Sequence, residues 1–173
     1  VDDFCDDAPL DTTPPGSGAF TGNGTWRATG PALTTMFTEA SGFGFGAEAL
    51  SIAGVTGDVL MELNDDGTGR LNYVRVTAFI NDSPLQDLTI DGTGQFQFGV
   101  EGDVLTVSGN TFTVSASSSA FGDPMVITDR DIEGGAVGTS TYNIGFDGEQ
   151  LVLTSADGAR GAVFFPRTWT RES

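Results

Sequence analysis

The chain has no histidine, no lysine and a single cysteine. Those absences remove most familiar catalytic chemistry. Without an imidazole there is no Ser-His-Asp triad, no Cys-His pair and no His-bearing zinc or iron site. Without lysine there is no Schiff base and no amine general base. Cys5 by itself builds neither an internal disulfide nor a thiolate metal site, so it is either an idle free thiol or a point of intermolecular bonding. No apolar run approaches the roughly 18–20 residues that a membrane-spanning helix needs, and no basic start leads into an apolar segment. An exported form is expected to have lost its signal already. Cys5 follows Val1–Phe4 and does not lead the chain, which leaves a lipid anchor unsupported.

What is present is acid. Seven arginines stand against 24 acidic residues, 17 of them Asp, for a net charge of −17. Such a surface repels phosphate backbones and anionic headgroups, which argues against nucleic acid and membrane-surface partners. The same excess also serves solubility without any partner. Absent Lys and abundant Asp point to a high-GC or salt-adapted source. Abundant Thr, Ser and Gly fit a secreted or surface β-protein better than a cytosolic enzyme.

With 173 residues and 13 Phe, one domain with a core of its own is expected. Residues 1–19 carry Asp pairs, Pro14-Pro15 and no apolar period, which reads as an extended arm ahead of a domain over 20–173. The stretch 31–55 is rich in Ala, Gly and Phe and fits neither period, so it is a short helix, a lid or a large loop. From 57 onward, short runs alternate apolar and polar residues: Phe96 and Phe98 with Gln95 and Gln97, Phe112 and Val114 with Thr111 and Thr113. That period of two marks strands with one buried face. Many strands at about ten-residue spacing predict an all-β antiparallel barrel or sandwich.

Asp-Gly occurs at 66–67, 91–92, 147–148 and 157–158, each time between strand-like runs. All four read as type I′ hairpin turns, because Asp-Gly tolerates positive φ at both central positions. None has the alternating oxygen ligands and closing Glu of a calcium loop, nor the GK[ST] of a phosphate loop.

The order of parts resembles bacterial lipocalin-like domains of the calycin group. The residues that carry the likeness are Gly24-Thr25-Trp26 near the start, the DGTG hairpin at 66–69, GDVLTVSG at 102–109, EQLVLTSADG at 149–158 and a closing aromatic strand with Arg. The resemblance covers roughly residues 20–173. It implies an up-and-down β-barrel of about 8–10 strands, with Trp26 packed under Arg167 or Arg171 to close the base, a contact of cation–π type. It also implies that the 31–55 insertion covers the mouth, making Phe37, Phe43, Phe45 and Leu50 lid residues, although packing against one barrel end is an equal reading. Tyr73, Arg75, Phe96 and Phe98 join them as ligand-facing candidates.

On the run 70–80, Leu71, Tyr73, Arg75, Thr77 and Phe79 share one face, with Val74, Val76, Ala78 and Ile80 on the other, which is expected to meet the core. Glu62, Arg75 and Glu101 lie in or beside strands, and a Glu62–Arg75 pair inside a lumen competes with a solvated outer pair. Asp129, Asp131 and Glu133 alternate on a loop, which reads either as a candidate site for a hard cation or as a solvated acidic loop. No cofactor is expected.

The resulting expectation is a secreted or surface, non-enzymatic barrel that binds a small apolar ligand. The alternative is a structural subunit of an extracellular assembly or filament that docks through the 1–19 arm, with Phe4 and Cys5 as its contacts and strand addition as its mode. A calycin-like cyclase, working by shape alone, ranks last.

Overall fold

Alternation decides which face of a strand meets the core, and the described part of the computed structural model holds nine strands and one helix. Residues 22–44, 51–120, 122–128, 139–156 and 166–173 are described. The arm 1–19 lies outside them, as does Asp157-Gly158. The elements in order are β1 (Gly24–Ala28), α1 (Pro31–Gly44), β2 (Ser51–Leu63), β3 (Thr68–Asn81), β4 (Asp87–Glu101), β5 (Val104–Ser117), β6 (Met125–Thr128), β7 (Ser140–Phe146), β8 (Gln150–Ser155) and β9 (Thr168–Arg171).

Eight strands close antiparallel into a ring, β1-β2-β3-β4-β5-β7-β8-β9, completed by the β4–β5 and β1–β9 pairings. The ninth, β6, lies beside one half of β5. The all-β, up-and-down barrel is therefore present, its nine described strands fall within the expected 8–10, and some of them are longer than single apolar–polar runs. QDLTI and GQFQFGV merge into β4, and DVLTVSG and NTFTVSAS merge into β5.

Two turn signals explain those mergers. Asp91-Gly92, expected as a hairpin, sits inside β4. A Cβ on Gly92 would meet the Thr113 carbonyl oxygen at 2.3 Å and the Val114 Cα at 2.6 Å, so glycine is there for close strand contact. Gly109, at φ 60°, forms a bulge in β5 where the register with β4 slips between Gln95 and Gln97.

The other two described Asp-Gly pairs do turn the chain, by different geometry from type I′. At Asp66-Gly67 positive φ falls on Gly67 and not on Asp66. Gly67 N–H donates to Asn64 O at 3.1 Å, the three-residue loop in which a type I turn ends in a left-handed glycine. At 147–148 Gly148 takes the first central position. Asp147 accepts from the Gln150 and Glu149 N–H groups, at 2.7 and 3.1 Å, and these bonds hold its carboxyl below the usual range.

Segment 31–55 divides between helix and strand. Pro31 suits a first helical position, where its missing N–H has no partner to lose. Thr34, Thr35 and Thr38 return their hydroxyls to carbonyls four residues back. Leu33, Met36 and Phe37, at i, i+3 and i+4, form the buried stripe of α1.

Strand length then shapes the molecule. β2 to β5 run 13, 14, 15 and 14 residues, whereas β1, β7, β8 and β9 run 5, 7, 6 and 4. β1 reaches only Val59–Leu63 of β2, and β7 only Val104–Val107 of β5. The ring closes over that part, and the long strands continue past it as a ribbon.

Inside the closed part Trp26, Trp169, Met61, Leu105 and Leu151 are fully buried. Trp26 is the hub. Its indole N–H donates to Gly22 O at 2.9 Å, Phe146 meets it edge-on at 6.0 Å, and the Arg171 guanidinium carbon sits 5.6 Å from its ring centroid. Trp26→Ala is expected to cost about 3–5 kcal/mol in urea denaturation, the range for an emptied aromatic core site. A loss below about 1 kcal/mol would show that closure does not depend on it.

Candidate functional site

The barrel gives way to the ribbon along a line of irregular positions. β3 slips against β2 between Thr56 and Asp58 and against β4 between Tyr73 and Val76. Against β4 the residues Val74 and Arg75 face the single Asp91, and against β2 the residues Arg75 and Val76 face the single Gly57, so Arg75 is common to both slips, a bulge in the middle of the sheet. Gly57, at φ 89°, lies opposite, and a Cβ there would stand 2.4 Å from Arg75 O. Arg75 has φ 46°, unusual for a residue with a side chain. Its N–H, displaced from the ladder, donates to Asp91 Oδ2 at 3.1 Å. Asp91, read from sequence as a turn residue, thus completes the bulge.

This bulge reverses part of the face assignment on β3. Leu71 and Tyr73 point inward with Val76, Ala78 and Ile80, while Asn72, Thr77 and Phe79 point outward. A sequence alternation counted straight through 74–75 cannot register one inserted residue, because each insertion shifts parity by one.

The candidate residues separate accordingly. Phe37 is buried in α1 and packs into the core, as does Phe96 on β4, whose ring fills the space over Gly69. Phe98 is partly buried and tilted against Phe96 at 6.3 Å. Tyr73 packs at the inner edge of the core, and its burial pushes the phenol upward from its ordinary value. Arg75 is exposed on the outer face. Glu62 is in register with Arg70, also on the outside, so the Glu62–Arg75 lumen pair is not formed. Glu101 is exposed at the end of β4.

Of the two closing arginines, Arg171 lies over Trp26 and donates to Asn23 O at 3.0 Å. Arg167 instead pairs with Glu39 of α1 at 2.5 Å. Phe45 and Leu50, Phe4 and Cys5, and Asp129, Asp131 and Glu133 lie outside the described residues, as does the side chain of Phe43. Among the described residues there is no cluster of three or more metal-ligating side chains, and no helix is long and apolar enough to cross a membrane.

Above the bulge line the inward face is apolar. Ile52, Val55, Leu88 and Ile90 line it and remain only partly buried, beside the buried Val76, Ala78, Val114 and Ala116. The sequence did not single these out, since they look like any strand interior. What sets them apart is that β1 and β7 end before reaching them, a tertiary fact. Set against protein families, curated proteins and solved structures, the chain matches none of them.

A left-handed conformation costs an ordinary residue about 1–2 kcal/mol, and glycine in a strand costs about 0.5–1 kcal/mol through flexibility. Arg75→Gly should therefore leave stability unchanged or raise it by up to about 1 kcal/mol, while Arg75→Val should lower it by at least about 1 kcal/mol. Equal losses in both urea melts would mean that the bulge is not under this strain.

Proposed function

We propose that this is a secreted, non-enzymatic barrel of the calycin kind that holds a small apolar ligand against the inner face of its ribbon. The observation that carries the reading is the partial burial of Ile52, Val55, Leu88 and Ile90 on a face that points inward, where the fully closed part below is filled by Trp26, Met61 and Trp169. Inward-facing apolar side chains that are left incompletely covered are the lining of an apolar site. Helix α1 follows β1 directly and packs Leu33, Met36 and Phe37 into the same core, which makes it the neighbour such a ligand would meet. Membership of the calycin group draws support from the eight-strand closed ring and from Arg171 over Trp26. A role without catalysis draws support from the absence of His and Lys.

A second reading, as an assembly subunit, is favoured by β6. Met125 and Val126 are 54% and 62% exposed on a strand that pairs only with β5 among the described residues. An uncharged edge of this kind invites another strand. Native mass spectrometry of protein from its natural source, without reductant, separates the two. A monomer carrying a discrete extra mass is the expected result. Multimers without extra mass would replace the first reading by the second, and a bare monomer would refute both.

A further inference from the structure

The outer face of the ribbon differs from the rest of this acidic chain. On β4 and β5, every outward position from Thr89 to Gln97 and from Thr106 to Ser117 is a hydroxyl or an amide, except Asp91. The register aligns them across strands. Thr56, Thr77, Thr89 and Ser117 form one row over β2 to β5, and Thr77 Oγ1 lies 2.8 Å from Thr89 Oγ1. Asn72, Thr93, Thr113 and Thr128 form a second row over β3 to β6. Such rows repeat at about 4.8 Å across strands and about 6.7 Å along them. Phe79, 45% exposed, stands beside the first row, opposite Gly54, where an added Cβ would touch nothing.

We infer that this face binds a neutral polysaccharide, a partner unrelated to any ligand held on the inner side. Hydroxyls and amides each donate and accept, which matches the vicinal hydroxyls of sugars in either orientation. An exposed Phe offers a flat apolar surface to the C–H face of a sugar ring. Charge decides against the other classes. At −17 the chain repels nucleic acid and anionic polymers, and the carboxylates on this face, Asp91 and Asp87 beside Phe79, already accept from the Arg75 and Ser119 N–H groups, which leaves a polycation little to pair with. A protein partner is the poorer fit, because Ser and Thr are scarce at the energetic centres of protein interfaces.

Affinity electrophoresis tests the assignment with the full chain in native gels containing laminarin, hydroxyethylcellulose or dextran, and alginate as the anionic comparison. Retardation by at least one neutral polymer, and none by alginate, is expected. Thr93 and Thr113 are exposed and cross-strand neighbours, so Thr93→Val with Thr113→Val keeps strand shape while removing the central hydroxyls. That pair should weaken retardation about tenfold. Phe79→Ala should weaken it independently. Val152→Thr, on the exposed face of β8, should leave it unchanged. Migration unaffected by all three neutral polymers, equal retardation by alginate, or retardation that survives the double valine variant would overturn the proposal.

Discussion

Everything in this molecule depends on where the sheet can close. A β-sheet removes its edges only by joining first strand to last, and here that seam is short. β1 and β9 share the register pairs Trp26↔Arg171 and Arg27↔Thr170, extended by the Glu172 N–H bond to Thr25 O at 2.9 Å. Around it, Trp26 gathers Gly22, Phe146 and Arg171. Outside it, Arg27 pairs with Asp58 at 3.3 Å and Glu172 at 2.5 Å, exposed contacts that add little beside the buried indole.

A short seam and long strands together leave a ribbon with two unlike faces. Its inner side continues the barrel interior past the reach of β1 and β7, and Ile52, Val55, Leu88 and Ile90 there are only partly buried. Its outer side carries hydroxyls and amides in register. Asp91 links the two levels, because its carboxylate takes the N–H that the Val74–Arg75 bulge frees, and that bulge fixes which β3 side chains face which side. Among the described residues, acidic side chains at turns and strand starts accept local hydrogen bonds. Asp66 and Asp87 illustrate this, each held below its usual carboxyl range by bonds from Thr68 and from Ser119 respectively.

The all-β class was legible because Phe96, Phe98 and Tyr142 lie in clean alternations, and one buried face per strand is what alternation reports; the choice of barrel over sandwich came from the lipocalin-like order of parts. Trp26 was legible as a closing residue through the Gly24-Thr25-Trp26 likeness to lipocalin-like domains, and Arg171 lies over it. Strand number was legible too, but strand ends were not: Asp91-Gly92 and Gly109-Asn110 have turn composition, yet they lie within β4 and β5. Faces on β3 were lost at a single inserted residue. The ribbon's two surfaces could not be read at all from one strand, since each exists only in the register of four, set by the connections at 64–67, 82–86 and 102–103.

The most direct test is native-state hydrogen exchange resolved by segment. If the seam governs the fold, amides at Val59–Leu63, Leu105–Val107 and Leu151–Leu153 should exchange only with global unfolding, while those at Ser51–Thr56 and Leu88–Ile90 open at lower free energy. Equal protection in both groups, or greater protection in the ribbon, would contradict it.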